Sequence, residues 1–221
     1  METGLIMGRG SRGFCVFVLL SAFLLFCVLT GFVLTESAFV QAFNHAVYTP
    51  IAGLITPALT TAATWIGNLT HWYAYAPIVL LLLIIPRTRR KIALPVAATL
   101  SASAILGPVI LKNIFAIERP DVNQLIAPGG FGYPSGHAMN AAVFFGMCAI
   151  MVLRYSGNKP LKIGFTVFAI ISALLVGLSR IYLGVHTATD VIGGYLMGGV
   201  VICAALLIEQ RLKHRSEVNC G

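Results

Sequence analysis

A small set of charged and ionisable side chains stands next to apolar segments, where charge is costly. These residues are Lys112, Arg119, His137, Arg180, His186 and Asp190. Charged groups near a bilayer core are expensive to keep and are functional candidates by default. Arginine and lysine bind phosphate oxygens, and a histidine held by a carboxylate can act as a nucleophile. The residue types therefore predict a site that binds an anion and reacts with it.

The spacing of these residues allows them to converge. Lys112 and Arg119 are seven positions apart, so we expect them to share one face if their helix continues to Pro120. His186 and Asp190 are four positions apart, which places both on one face at the start of a helix. A carboxylate at that distance can fix the tautomer of the imidazole and leave its other nitrogen free to attack.

A third segment, Ser135-Gly136-His137, follows Pro134 and opens an apolar stretch. A helix that begins here presents unpaired backbone N–H groups and the positive end of its dipole, which favours an anion. Ser135 also fits a plain helix-capping role, which is compatible with phosphate contact. No GxxxxGK[ST] loop and no acidic cluster that could hold magnesium is present. The cations would then stabilise a transition state without a metal.

Composition sets the environment of this chemistry. Of 221 residues, 58% are hydrophobic and only 10% are charged, against roughly 25% charged in soluble domains. This excludes a soluble enzyme, a disordered chain and a secreted disulfide scaffold. The five cysteines form no CxxC pair, and we interpret those in apolar stretches as small core or lipid-facing residues.

Six apolar segments are long enough to cross a bilayer, given the roughly 20 residues that a spanning helix needs. We expect these spans at 14–34, 66–85, 92–111, 137–153, 161–178 and 187–208. The proline-interrupted segment 38–64 is expected to lie at the interface or to form short helices on the membrane surface. The second span carries four aromatic residues at its outer end, which suits an aromatic belt at the interface: Trp65, Trp72, Tyr73 and Tyr75.

Basic residues outside the candidate site predict the orientation. Apart from Lys112, Arg119 and Arg180, the 12 remaining lysines and arginines fall on alternate sides of the spans, which the positive-inside rule makes cytoplasmic. We therefore expect a cytoplasmic N-terminus (1–12), one membrane domain (13–210) and a cytoplasmic tail (211–221), with the site facing outward. The net charge of +8 is thus explained by topology and requires no nucleic acid.

The three segments resemble the signatures of the type 2 phosphatidic acid phosphatase (PAP2) family. The matching motifs are Lys112-x6-Arg119-Pro120, Pro134-Ser135-Gly136-His137 and Ser179-Arg180-x5-His186-x3-Asp190. Their order and spacing fit without a gap. The resemblance implies an all-α fold, a six-helix transmembrane bundle of the PAP2/haloperoxidase type.

The resemblance also implies residue roles. His186 would attack phosphorus and form a phosphohistidine, Asp190 would support it, and His137 would protonate the leaving oxygen. The phosphate would be held by Lys112, Arg119, Ser135, Gly136 and Arg180. The family uses neither a metal nor another cofactor in this reaction, so we expect none.

The leading hypothesis is a membrane lipid phosphatase whose partners are a lipid phosphate and the surrounding membrane lipids. Undecaprenyl diphosphate, phosphatidylglycerophosphate, phosphatidic acid and lipid A phosphates remain open as substrates, with family analogy favouring the carrier-lipid diphosphate. A phosphotransferase with the same site is the first alternative. A lipid transporter is the second, although the charges gather on one side and no inverted repeat is present. His45 and His71 are interpreted as interfacial residues.

Overall fold

The computed structural model describes residues 9–85, 89–127 and 129–219. Parts of the predicted cytoplasmic segments, 1–8 and 220–221, and Arg87 of the basic cluster lie outside the described residues. Within the described ranges the protein is helical and contains no strand. The helices are α1 (Arg9–Leu34), α2 (Ala38–Ala52), α3 (Pro57–Asn68), α4 (Trp72–Ile84), α5 (Leu94–Phe115), α6 (Gly136–Tyr155), α7 (Lys159–Tyr182) and α8 (Ala188–Asn219). A π-helical turn, Arg89–Ala93, precedes α5, and α5 itself is π-helical over Leu106–Leu111.

Six segments among the described residues are long and apolar enough to span a membrane. They are Arg12–Leu34, Pro57–Ile84, Leu94–Phe115, Gly136–Tyr155, Lys159–Tyr182 and Ala188–Leu212. The prediction of an all-α bundle with six spans is therefore confirmed. Helix α8 continues through residues 211–219, which the sequence assigned to the tail.

Polar side chains set the points at which several helices begin. Ser37 accepts a hydrogen bond from the Val40 amide, Thr56 from the Leu59 amide, and Asn158 from the Leu161 amide. Each bond satisfies one of the amide groups that a helix leaves unpaired at its start.

The second span differs from its prediction. The sequence indicates one helix over 66–85, whereas the structure has two, α3 and α4, separated at residues 69–71. Thr70 ends α3 because both its amide and its hydroxyl donate to the Gly67 carbonyl, at 3.2 and 3.0 Å. Helix α3, expected at the surface, thus forms the first half of the span, and the break places His71 directly before α4.

Helix α6 lies at the centre of the bundle, between α5, α7 and α8. Its buried methionines and valine recur every four residues and pack against α5 and α8. This stripe consists of Met139, Val143, Met147 and Met151. A repeat of four residues keeps side chains on one face of a helix, so the stripe fixes which face of α6 is turned to the core.

Two glycines on α8 let this helix approach α6 closely. A Cβ at Gly198 would lie 2.7 Å from the Cβ of Ala142, and a Cβ at Gly194 would overlap the Ser135 carbonyl oxygen. Small residues four apart are a common device for close helix contact in membranes. The contact brings the start of α8 against the start of α6.

The segment between α5 and α6 folds over this end of the bundle. Helix α5 ends at Ala116, which has a left-handed φ of 50°, and Arg119 therefore lies beyond the helix. The expectation that Lys112 and Arg119 share a helix face is wrong. Backbone hydrogen bonds hold the segment instead, from Gly132 to Ile117 at 2.7 Å and from Leu125 to Leu183 at 3.0 Å.

Candidate active site

A cavity of about 480 Å³ opens at the end of the bundle where α6 and α8 begin and α7 ends. Six of the eight predicted site residues line it, namely Lys112, Arg119, Gly136, His137, Arg180 and His186. The other two, Ser135 and Asp190, are buried directly behind it, with exposed fractions of 0% and 3%. The structure thus brings the three predicted segments to one place.

The ring of His186 is held from both sides. Its Nδ1 lies 3.4 Å from Oδ2 of Asp190, and its Nε2 lies 3.4 Å from Nη1 of Arg119. A carboxylate accepts and a guanidinium only donates. Nδ1 therefore carries the proton, and Nε2, which faces the cations, carries the lone pair. This is the tautomer that a nucleophilic imidazole requires.

Asp190 reaches His186 by a different local structure from the one predicted. His186 precedes α8 instead of lying on its first turn. Oδ2 of Asp190 accepts from the Thr187 amide at 2.8 Å, and the Thr187 hydroxyl accepts from the Asp190 amide at 3.2 Å. This reciprocal capping box fixes the carboxylate, so that the same oxygen both starts the helix and orients the histidine.

Burial keeps the His186 imidazole neutral. Desolvation lowers its pKa from 6.5 to about 4, against the opposing effects of the hydrogen bond and the charge of Asp190. The nearby cations Lys112 and Arg119 lower the pKa of His186 further. At neutral pH the imidazole is therefore neutral and Nε2 carries a lone pair.

Backbone carbonyls hold two of the cations at the rim. Arg119 donates to the carbonyls of Gly130, Gly129 and Val185, at 2.9, 2.7 and 2.6 Å. Lys112 donates from Nζ to the Phe131 carbonyl at 2.5 Å. These bonds tie both side chains to the loop over the cavity, and burial lowers the pKa of Arg119.

Arg180 occupies a slot that a glycine provides. The side chain is only 3% exposed, and its Nη2 donates to the Ala63 carbonyl at 3.2 Å. A Cβ at Gly67 would overlap the guanidinium group. Helix α3 therefore supplies both the space and one acceptor for this cation.

Ser135 acts as the N-cap of α6. Its hydroxyl accepts from the Ala138 amide at 3.4 Å, and its own amide donates to the Asp190 carbonyl at 2.9 Å. Ser135 does not line the cavity, while Gly136 and His137 do. The backbone bond to Asp190 joins the starts of α6 and α8, which keeps the two histidines on one cavity.

The sequence matches the PAP2 superfamily over residues 92–214. This range is more than half of the chain and contains all eight predicted site residues. The chain belongs to the PAP2 superfamily.

Two curated relatives are similar to this PAP2 protein over part of their length. Phosphatidylglycerophosphatase B of Bacillus subtilis is 35% identical over 106 residues, which are 47% of this chain and 52% of that protein. Undecaprenyl-diphosphatase of Sulfolobus acidocaldarius is 34% identical over 143 residues, 62% of this chain and 64% of that protein. The matched regions thus span between half and two thirds of these relatives.

A solved structure supports the PAP2 fold over nearly the whole bundle. The crystal structure of a transmembrane PAP2-type phosphatidylglycerolphosphate phosphatase from Bacillus subtilis superimposes with a TM-score of 0.77 at 27% identity. The match covers 87% of this chain and 96% of that one. The six-span architecture is therefore shared with a PAP2 membrane phosphatase.

The PAP2 motifs do not include one histidine that the structure places in the cavity. His71, expected only at the interface, lines the cavity with its Nε2 3.3 Å from Nε2 of His137. No spacing in the sequence links the two residues, because they are 66 positions apart and come together through tertiary packing, in which Tyr75 of α4 stacks on Phe144 of α6. Tyr75, expected in the aromatic belt, is also buried and lines the cavity.

Asn140 is a second residue that sequence reasoning missed. It lies one turn beyond Gly136 on α6, lines the cavity, and accepts through Oδ1 from the Ser103 hydroxyl at 2.5 Å. Since that bond uses the amide oxygen, the amide N–H₂ group remains a donor for the cavity. A signal was present, because Asn140 is a polar residue within the otherwise apolar stretch 138–153.

Replacing Gly67 with alanine should disable the site without unfolding the bundle. The added methyl group must displace the Arg180 guanidinium, which is the flexible end of its side chain, so that phosphate binding is weakened while the fold remains. We expect kcat/KM for a lipid phosphate to fall about tenfold or more, since a charged hydrogen bond contributes roughly 1.5–3 kcal/mol. Gly164→Ala is the matched control, because a Cβ there meets no atom within 4 Å. Equal activity in the two variants would contradict this role for Gly67.

Proposed function

We propose that this PAP2 protein is an integral-membrane phosphatase that hydrolyses lipid phosphates or diphosphates through a phosphohistidine on His186, without a metal. The observation that carries the proposal is the arrangement of His186 between Asp190 and Arg119, with its Nε2 lone pair facing a cavity lined by three cations. A phosphoryl group in that cavity would meet a nucleophile and compensating charge together.

The first half-reaction transfers the phosphoryl group to the protein. Nε2 of His186 attacks phosphorus, the bond between phosphorus and the leaving oxygen breaks, and its electron pair passes to that oxygen. His137 donates the proton that the leaving oxygen takes up. The bound phosphate offsets the charge of the surrounding cations, so that His137 can carry this proton in the complex. Asp190 stabilises the positive charge that develops on His186.

The second half-reaction releases phosphate. Water attacks phosphorus while His137, now neutral, accepts a proton from it as a general base. The P–N bond breaks and its electron pair returns to Nε2. Lys112, Arg119 and Arg180 stabilise the charge on the equatorial oxygens in both steps, and the Gly136 amide at the start of α6 adds a donor. In this proposed mechanism the fixed cations stabilise that charge, and no metal ion takes part.

The position of the cavity supports a substrate with a lipid tail. It opens beside spanning helices, with apolar side chains such as Ile126 and Val185 among its lining, so that a lipid tail can remain in the bilayer while the headgroup enters. Relatives named for phosphatidylglycerophosphate and undecaprenyl diphosphate support both as test substrates, together with phosphatidic acid.

We propose further that residues 1–12 and 211–221 are cytoplasmic, that 13–210 form a single membrane domain, and that the cavity faces the opposite side. The distribution of basic residues supports this orientation. A fluorescent protein fused to the C-terminus should fold and fluoresce, and a periplasmic reporter enzyme fused there should be inactive. The reverse pattern would overturn the orientation.

The experiment that tests the function is phosphate release by purified protein in EDTA. Undecaprenyl diphosphate, phosphatidylglycerophosphate and phosphatidic acid are supplied in detergent micelles, with and without glycerol as a phosphoryl acceptor. We expect release of inorganic phosphate at the same rate with and without the chelator. Loss of activity in EDTA that added divalent metal restores would contradict the metal-independent mechanism. Transfer to glycerol in place of water would favour a phosphotransferase.

A further inference from the structure

His71 is the one cavity histidine to which the proposed reaction assigns no task. It lies between α3 and α4, outside the three motifs, and its Nε2 is 3.3 Å from Nε2 of His137. The two ring centroids are 4.9 Å apart at an interplanar angle of 83°. This edge-on arrangement directs one ring nitrogen at the other.

The backbone and a neighbouring ring fix His71 in this place. Its amide donates to the Asn68 carbonyl at 3.1 Å, and its carbonyl accepts from the Ala74 amide at 2.9 Å. Its ring stacks on Tyr73 with a centroid distance of 5.1 Å and an angle of 6°. The contact with His137 is therefore built by the break between α3 and α4 and does not depend on a free rotamer.

A hydrogen bond between two imidazole nitrogens holds one proton, because one nitrogen must donate and the other accept. Arg180 and Lys112 line the same cavity, and two fully protonated rings at 3.3 Å would add further repulsion. The two rings thus form a pair that shares one proton, and the orientation of His137 depends on its partner.

We propose that His71 is a positioning residue for His137 and belongs to the catalytic site as a fourth segment. The hydrogen bond engages Nε2 of His137 and holds its ring at the start of α6, so that Nδ1 is the nitrogen that protonates the leaving oxygen. This inference rests on the proposed function, because it assigns His71 a part in that reaction. Misplacing a catalytic group by about 1 Å can cost up to a hundredfold in rate.

The test replaces the atom that makes the contact. In His71→Gln the side-chain amide reaches the place of Nε2 and can donate or accept, whereas His71→Leu removes the hydrogen bond and retains apolar bulk. With a lipid phosphate, we expect kcat of His71→Leu to fall about tenfold with KM unchanged within twofold. His71→Gln should keep kcat within threefold of wild type. His45→Leu, on the exposed surface of α2, is the matched control and should equal wild type.

A double-mutant cycle separates positioning from a purely structural role. If His71 acts through His137, then His71→Leu should change the residual activity of a His137→Ala protein by less than twofold. The same tenfold loss in both backgrounds would overturn the inference, as would a His71→Leu protein with wild-type kcat. In either case wild type and His137→Ala would still differ, so the proposed function would stand. A wild-type protein that releases no phosphate from any lipid would overturn the function and the inference together.

Discussion

His186→Gln should abolish lipid phosphate hydrolysis, lowering kcat by about 10⁴-fold or more, which is the scale seen when a nucleophile is removed from a cooperating set. The glutamine amide can still accept from Arg119, so the cavity should keep its shape. It has no nitrogen lone pair that can attack phosphorus, and the covalent step is lost. The measurement is phosphate release from a lipid phosphate under saturating substrate.

His45→Gln provides the control for the same chemical change at a histidine outside the site. His45 is exposed, and its Nδ1 lies 3.3 Å from the Thr49 hydroxyl one turn further along α2. We expect this variant to keep wild-type activity. If His186→Gln retained more than a few per cent of wild-type kcat, then another group would be the nucleophile and the assignment would fail.

His137→Ala should have the second largest effect, and its size should depend on the leaving group. A general acid contributes about 10²–10⁴-fold when the leaving oxygen is strongly basic. With an alkyl lipid phosphate we therefore expect kcat/KM, which reports the steps up to formation of the phosphohistidine, to fall by that factor. With p-nitrophenyl phosphate, whose leaving oxygen is stable without a proton, kcat/KM should fall less than tenfold.

The comparison of the two substrates isolates the part of the rate that depends on protonation of the leaving oxygen. A variant that damages the cavity should slow both esters alike, because each needs the same phosphate contacts from Lys112, Arg119 and Arg180. Gly67→Ala serves as this reference, since it acts on Arg180 and on no acid. Equal losses of kcat/KM on both esters in His137→Ala would show that the residue binds phosphate and does not protonate the leaving group.

Much of the site could be predicted from the sequence because its parts are short motifs at the ends of spans. A charged residue beside an apolar span must lie where it avoids the bilayer core. Helix ends on one side of a membrane also lie at the same level. Lys112, His137, Arg180 and His186 therefore share a cavity for the reason that the sequence indicates.

The local geometry of the site was harder to predict, even where the predicted residues do come together. The sequence favours a helix that continues from Lys112 to Arg119, but the chain turns at Ala116, a residue type with no preference for the left-handed conformation it adopts. His186 and Asp190 meet through a capping box at Thr187 and not through one helix face. The contact between His186 and Asp190 was predicted correctly, but the predicted reason for it, a shared helix face, was wrong.

Contacts that depend on packing alone carry no sequence signal. His71 reaches His137 only because Thr70 ends α3 and the following residues turn the ring toward α6. The slot for Arg180 depends in the same way on a glycine more than 100 positions away. Neither relation has a spacing that a motif could record, since each joins different spans through their contact surfaces.

The most direct measurement is chemical trapping of the phosphorylated protein. A lipid phosphate labelled with ³²P is mixed with purified protein, the reaction is stopped with alkali within the first turnover, and the labelled peptide is identified by mass spectrometry. We predict a label that survives alkali, is lost in acid, and lies on His186, with none in His186→Gln. A wild-type protein that releases phosphate rapidly while no such adduct forms, or while the label lies on another residue, would contradict the account.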